Sequence, residues 1–396
     1  MTDLSELYRD LHQHPELSSQ EFRTAAVLAE ALRPLGFDVT TEVGGTGVVG
    51  VLRNGDGPVV MLRADIDALP VEEKTGLPYA STARATNSDG EDVPVAHACG
   101  HDMHATCLIG AATELAEARE EWSGTLLAVF QPAEELGCGA RNMVDDGLFD
   151  RFGKPDVVLA QHVGPLPAGF LAHGSGPVMA ASDTARITLH GRGGHGSAPE
   201  TTVDPVLMAA HVVVRLQGIV SREISPSERA VVTVGRLQAG TKENVIPETA
   251  EIGVNIRTFS EHTAGIVRAA VERIVRAEAA ASGAPRDPEI DWHGSTPVLV
   301  SDPDATGRTV AAFAAHFGQE RLIPGAVVNS SEDVGVFGAA AGVPTVFWFF
   351  GGIDFSTWEP GRAVPMNHSP EFAPEIEPTL TTGVDALVVA ARAWLA

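Results

Sequence analysis

Long apolar runs are missing from this 396-residue chain. No stretch of about 18 consecutive apolar residues occurs, which excludes a membrane-spanning helix. The opening MTDLSELYRD has no basic segment followed by an apolar one. No secretory signal is therefore expected, and the cytoplasm is the expected compartment. Basic residues are scarce, 27 against 52 acidic ones, for a net charge of -25. Nucleic acid and anionic membrane both need a cationic surface, so neither is expected as a partner. Cysteine is scarce as well. Cys99, Cys107 and Cys138 are an odd set in a long chain, which argues against a disulfide framework and for reduced thiols. No C-x-x-C pair is present, so a structural zinc site of the usual spacing is not expected. Low-complexity segments and tandem repeats are absent.

What remains is ordinary globular composition, 44% hydrophobic and 20% charged. The length is too great for one small core and points to two or three domains. Helices and strands alternate from the start. SSQEFRTAAVLAEALRPLG reads as a helix opened by a capping box, Ser18 with Glu21, and stopped at Gly36. TGVVGVLRN, PVVMLRADID, GTLLAVFQPAEE and DVVLAQHV are valine-rich runs of strand length, with the helical HATCLIGAATELAEARE among them. Helices between apolar strands predict an α/β domain, its sheet mixed and covered by helices on both faces. Residues 182–292 read differently. Their order is β-α-β-β-α-β, the ferredoxin-like unit of a four-stranded sheet with two helices on one face. The α/β pattern then resumes with DATGRTVAAFAAHFG, PTVFWFF and TGVDALVVAARAWLA. The expected organisation is a discontinuous domain of residues 1–181 and 293–396, interrupted by an inserted domain at 182–292.

Residues 97–104, HACGHDMH, concentrate metal-binding side chains: Cys99, His101, Asp102 and His104. Other such residues follow apolar strands. PVVMLR runs into Asp65 and Asp67, TLLAVFQP into Glu134 and Glu135, and DVVLAQ into His162; His368 comes far downstream in PMNHSPEF. In open α/β sheets the ligand crevice lies beyond the carboxyl ends of the strands, so these groups point to one place. Each alone has an ordinary reading, as a turn residue, a solvated glutamate pair or a surface histidine. Their collection beyond strands otherwise taken as free of charge favours a metal site. Thiolate, imidazole and carboxylate from distant segments suit a catalytic site with open positions, where two cations could share one water. A carboxylate beside a ligand could then act as general base, and PAEE offers such a pair.

The motifs LRADIDALP, HACGHDMH, FQPAEE, QHVGP, GRGGHGSAP, NVIPETAEI and NHSPEF, with LHQHPELSSQE before them, stand in this order. The chain in this respect resembles the dinuclear metallopeptidase and amidohydrolase family, in the branch of aminoacylases, hippurate hydrolases and auxin-conjugate hydrolases. The resemblance implies a catalytic α/β domain with an inserted dimerisation domain, hence a homodimer. It implies that Cys99, His101, Glu135, His162 and His368 are metal ligands, with Cys99 at or near the bridging position. Glu134 would be the general base. Asp67 would orient His101 through its other ring nitrogen. His195 would hydrogen-bond the developing oxyanion, in the partner subunit's site. Asn244 and Arg257 would hold the carbonyl and carboxylate of the substrate, and closure of the inserted domain would complete the site. Two departures stand out: Cys138, where a small residue such as glycine is more usual, and the polar insert NSDGED, read as a surface loop.

The implied activity is hydrolysis of the amide bond of N-acyl-L-amino acids with two divalent cations per subunit. Zinc or manganese would serve; the donors also admit cobalt or nickel. TVFWFFGG could line an aromatic acyl pocket but reads first as a core strand. Alternatives are a small dipeptidase or carboxypeptidase of the same family, a binding protein that has lost catalysis, or a thiol redox sensor. The binding protein would lack a ligand or the base, and none is missing. The sensor would show a reversible disulfide.

Overall fold

The computed structural model of the chain describes residues 3–354, 356 and 363–395. Met1, Thr2 and Ala396, at the ends of segments read above, lie outside them. The chain divides into two compact units: Met1–Val178 with Val300–Val327 and Asp333–Ala396, and Met179–Leu299 with Val328–Glu332.

The first unit is built on an eight-stranded sheet. Its strands are β1 (Asp38–Val43), β2 (Gly47–Asn54), β3 (Val59–Asp65), β4 (Gly124–Gln131), β5 (Val157–Pro167), β6 (Leu171–His173), β7 (Leu322–Pro324) and β8 (Thr345–Ile353). In space they run β1-β2-β4-β3-β5-β8-β6-β7. The central β4, β3, β5 and β8 are parallel to their neighbours in that series. β1 is antiparallel to β2, β2 to β4 and β6 to β8, so the sheet is mixed, as expected. The main helices are α1 (Leu4–Gln13), α2 (Phe22–Leu32), α3 (His101–Glu117), α4 (Pro303–Phe317) and α5 (Thr379–Leu395).

The central strands are mostly apolar because both faces are covered. Val60, Leu62 and Ala64 of β3 and Leu126, Ala128 and Phe130 of β4 cluster with Leu108 and Ala112 of α3 and Leu387 and Ala391 of α5. The alternate residues face the short helices Gly139–Asp145 and Gly335–Ala341, which pack on β4, β5 and β8. In β8, Val346, Phe347, Trp348 and Phe350 are buried, which makes TVFWFF a core strand.

Three local expectations are corrected. First, the strands are not free of charge. Arg63, in the middle of β3, is fully buried. It donates from Nε to Gln131 Oε1 at 2.8 Å, from Nη1 to Asp65 Oδ2 at 2.8 Å and from Nη2 to Asp333 Oδ1 at 3.4 Å. Burial pushes the Asp333 carboxyl up to about 6, against the pull of Arg63. Second, β5 does not stop at His162 but runs on to Pro167, which puts His162 in mid-strand. Third, the capping box does not form. Helix α2 starts at Phe22, and Glu21 makes no side-chain cap. The cap comes from Glu16, whose carboxylate accepts from the Arg23 and Thr24 amides at 3.0 and 2.8 Å. Ser18 and Glu21 are drawn elsewhere by partners deep in the unit. The stop is where expected: Gly36 has φ 86°, in the left-handed region that glycine tolerates.

The second unit holds the antiparallel strands Ala181–His190, Ala230–Ala239, Thr249–Thr258 and Glu289–Thr296. Helices Pro205–Leu216 and Glu261–Ala281 begin at side-chain caps from Asp204 and Ser260. Met208 and Val212 of one and Val267 and Val271 of the other share a core with Ile187, Ile252 and Val254. The chain order of these elements is β-α-β-β-α-β. The polar NSDGED segment forms an exposed turn between the short strands Arg84–Thr86 and Asp92–Pro94 of the first unit.

Arg63 generates the first test. Arg63→Met leaves Asp65 and Asp333 buried without their cation. Breaking a buried ion pair from one side costs about 3–5 kcal/mol, read as a fall in the urea midpoint of the first unit. A loss below about 1 kcal/mol would mean that the guanidinium is dispensable to folding.

Candidate metal centre

Five segments of the first unit bring the site's side chains together, the last of them the connection before α5 that carries His368. β3 ends at Asp65, and Asp67 follows two residues on. The loop before α3 carries Cys99, and α3 opens with His101. The turn after β4 carries Glu134 and Glu135, and His162 stands on β5 level with Phe349 of β8. Gly100 makes the entry to α3 possible. Its φ is 84°, and a Cβ there would lie 2.4 Å from Val163 Cγ1.

Cys99 Sγ, His101 and Glu135 offer ligand atoms within 4.8 Å of one another, and His101 is also within 4.8 Å of Asp65, His104 and His162. Cys99 Sγ lies 3.5 Å from His162 Nε2. His368 Nε2 lies 3.3 Å from Glu135 Oε1. All five side chains named as ligands thus adjoin one another, with Cys99 between His162 and the His101–Glu135 pair. Glu134 Oε2 is 3.9 Å from His101 Nε2.

Hydrogen bonds decide which ring nitrogens face inward. Asp67 Oδ1 lies 3.1 Å from His101 Nδ1, which leaves Nε2 toward the cluster. His162 Nδ1 donates to its neighbour's carbonyl, Val163 O, at 2.7 Å, so Nε2 carries the lone pair. His104 is different. Its Nδ1 meets Asp65 Oδ1 at 2.5 Å and its Nε2 accepts from the Val163 amide at 2.8 Å. Both nitrogens are spent on the protein, so His104 positions rather than ligates. Asp65 is likewise held by Arg63 and His104.

A cation fits what these residues leave undone. His101 Nε2 and Glu135 Oε1 are buried and lack a hydrogen-bond partner among the described residues. Such atoms are costly in a dry interior unless something binds them. Electrostatics agrees. Burial opposes charge on His101, yet Asp65 and Asp67 lift its pKa to about 10. Burial, then Glu135 and Glu134, raise the Cys99 thiol well above its ordinary value. Burial, then His104, push His162 well below its own. The carboxylates favour a proton on the imidazole, and burial together with the carboxylates favours one on the thiol. A divalent ion would replace both protons.

The supports lie further out. Asp67 Oδ2 accepts from the Ser18 hydroxyl at 2.6 Å and from the Glu135 amide at 3.0 Å. Asn367 Nδ2 donates to Cys99 O at 3.1 Å and Val163 O at 3.2 Å, and the His368 amide donates to Ala98 O at 2.7 Å. On the far side of α3, Asp102 Oδ2 holds His12 Nδ1 at 2.6 Å while Glu73 Oε1 takes His12 Nε2 at 3.1 Å. Against its own burial, His12 is raised by these carboxylates to about 10. Arg63, Asn367 and His12 were missed as site residues. The arginine inside an apolar run and the histidine in LHQHPEL were the available signals; a single asparagine carried none.

His195, Asn244 and Arg257 belong to the second unit. His195 pairs with Val245 in a two-residue ladder, and the Gly196 amide donates to Asn244 O at 2.9 Å, so the first two are neighbours. The Ser197 amide donates to His195 Nδ1 at 3.0 Å. Arg257 is half-buried, bonded through Nε to Asn255 and through Nη1 to Ser331. Cys138 is half-buried, its thiol 4.0 Å from Ala133 O.

The model of peptidase family M20/M25/M40 matches residues 61–392, most of the chain. The chain belongs to that family. It is 36% identical over 345 residues to the N-acetyl-L-cysteine deacetylase of Bacillus subtilis, covering 87% of this chain and 79% of that protein. It is 36% identical over 340 residues to the hippurate hydrolase of Campylobacter jejuni, covering 85% of each. The crystal structure of the B. subtilis YXEP protein, a dinuclear metal binding peptidase from the M20 family, superposes with a TM-score of 0.77 at 31% identity, over 98% of this chain and 97% of that one. As an M20 protein this chain is a hydrolase of amide bonds. Among its described residues no helix is long and apolar enough to cross a membrane.

Metal uptake should release protons. His101 and Cys99 must give theirs up to ligate, so about two protons should leave per chain on loading the metal-free protein near pH 7. The sign is fixed: affinity rises with pH toward 10, the His101 value. Titration calorimetry in buffers of different ionisation enthalpy reads the count. Release of none would contradict this ligand set.

Proposed function

We propose that the chain removes the acyl group from N-acyl-L-amino acids. Cys99, His101, Glu135, His162 and His368 would hold two divalent cations, zinc or manganese, with cobalt or nickel also suited to these donors. The observation that carries this reading is the pair of buried ligand atoms without a hydrogen bond among the described residues, His101 Nε2 and Glu135 Oε1, beside the Cys99 thiol and next to Glu134.

When bound, the cations supply Lewis acidity to a water and to the acyl carbonyl. Glu134 takes the proton of the attacking water and returns it to the leaving amine. Asp67 keeps His101 turned inward, and by binding the Glu135 amide it also fixes the chain next to the base. His195 would donate an N–H to the oxyanion. With the Ser197 amide on Nδ1, the donor is Nε2–H. Asn244 would hold the carbonyl oxygen. Arg257 would take the substrate carboxylate with the guanidinium donors left over from Asn255 and Ser331. The names of the deacetylase and hippurate hydrolase relatives support an N-acyl amino acid as substrate. Phe349, the half-buried member of TVFWFF, has its ring 6.4 Å from that of His162, which supports an aromatic contact for the acyl group.

We further propose a cytoplasmic homodimer formed through the second unit, with boundaries at residues 182–292. Three free thiols support the compartment. The exposed Leu207, Val214 and Leu237 of the second unit support the interface.

Glu134→Gln should keep its metal content by elemental analysis and lose about a thousandfold or more in turnover, the scale of a general base. Hippurate and a set of N-acetyl amino acids, with release of free amine as the readout, provide the assay. Survival of turnover would move the base elsewhere.

A further inference from the structure

Besides the candidate ligand His368, two residues other than glycine near the centre have left-handed backbones. Ser19 has φ 66° and Ala133 has φ 50°. Such backbones persist only when neighbours over-determine them. A single carboxylate oxygen holds both. Glu21 Oε1 accepts from the Ser19 amide at 2.9 Å and from the Ala133 amide at 2.8 Å, while Oε2 accepts from the Thr46 hydroxyl. Glu21, Thr46 and Ala133 are all buried. The other side of the Ala133 residue is gripped as well. Its carbonyl accepts from the Gly139 amide at 3.2 Å and the Cys138 amide at 3.4 Å. Gly139 itself can bear no side chain, since a Cβ would sit 1.6 Å from Pro132 O. Ala133 is the residue immediately before Glu134.

We propose that Glu21 is a positioning residue for catalysis: its carboxylate fixes the left-handed Ala133 turn that aims Glu134. This rests on the reading of Glu134 as general base. The argument is geometric. β4 ends at Gln131, and the chain must reverse within Pro132 and Ala133 to present two successive glutamates. Glu135 is tied down by its own amide on Asp67. The Glu134 carbonyl accepts from the Gly137 amide at 2.7 Å, which closes the turn behind the base. What sets the turn's entry is the Ala133 N–H, and Glu21 alone is its acceptor among the bonds described. A charged acceptor makes that bond stronger than a neutral one would. Release of the amide lets Ala133 relax toward negative φ and swings Glu134 away from the water. Misplacement by about 1 Å costs a catalytic group on the order of a hundredfold.

The test compares metal-loaded Glu21→Ala and Glu21→Gln. The amide oxygen of glutamine can still accept from both backbone N–H groups, whereas alanine cannot. Expected for E21A is a fall in kcat of about a hundredfold with KM within about twofold, unchanged metal content, and faster hydrogen exchange confined to the peptide spanning 132–139 and its contacts at 19. E21Q should recover most of the activity and the protection. Should E21A not be recovered folded, Glu21→Asp, which keeps the charge but withdraws it by one methylene, takes its place. Folded E21A with kcat within threefold of wild type, or unchanged exchange at 132–139, or E21Q as impaired as E21A, would overturn the proposal. Glu134→Gln runs in parallel. If that variant keeps turnover, the base reading fails, and exchange at 132–139 still decides whether Glu21 anchors the turn.

Discussion

Buried negative charge is the constraint on which the first unit turns. Asp65, Asp67, Glu134 and Glu135 lie around His101 at distances from 3.1 to 3.9 Å. Carboxylates so close in a dry interior repel one another and have lost their hydration. The fold tolerates them because something positive always faces them. Arg63 and the proton on His101 do so among the protein's own groups, and Asp65 is held well below the usual carboxylate range, its burial outweighed by His101, His104 and Arg63. The same field that would destabilise an apolar core is what makes a cation welcome. Stability and metal affinity are here two readings of one charge distribution.

The parallel strands explain why this charge can be gathered at all. β3, β4, β5 and β8 are mostly apolar and place their carboxyl ends side by side. Asp65, His101 and His162 are then delivered by strands and a helix, Glu134 and Glu135 by the turn after β4, and His368 by the connection between β8 and α5. The supports come from the opposite direction in sequence. Residues 12–21 contribute His12, Glu16, Ser18 and Glu21, which reach α3, α2, Asp67 and the Ala133 turn.

Much of this was legible in the sequence. Ligand-type residues beyond apolar strands gave the place of the centre, and period-two and helical patterns gave the β-α-β-β-α-β order of the second unit. What stayed hidden shares a physical cause: side chains whose role is set by partners far along the chain. Ser18 and Glu21 have the spacing of a capping box, but spacing cannot reveal that Asp67 and the Ala133 amide outbid the helix end. Arg63 was passed over in strands taken as free of charge, and one of its counter-charges, Asp333, lies 270 residues away. His104 shares HACGHDMH with the candidate ligands Cys99 and His101, and its two engaged nitrogens set it apart. Strand length failed at His162 for a related reason: a polar residue on a fully covered strand need not end it when its ring is held by Val163 and faces a pocket.

The bracket of His12 between Asp102 and Glu73 has a practical reach. It ties the opening helix to the very start of the helix that carries His101, through a charge no solvent can screen. A shortened version of the protein beginning after Gln13 would retain all the candidate ligands, the proposed base and the whole sheet. It would also strand Asp102 in the interior with no counter-ion from α1, one residue from His101. Fragments trimmed at that end, by proteases or by design, are therefore best regarded as injured enzyme and not as a minimal working core.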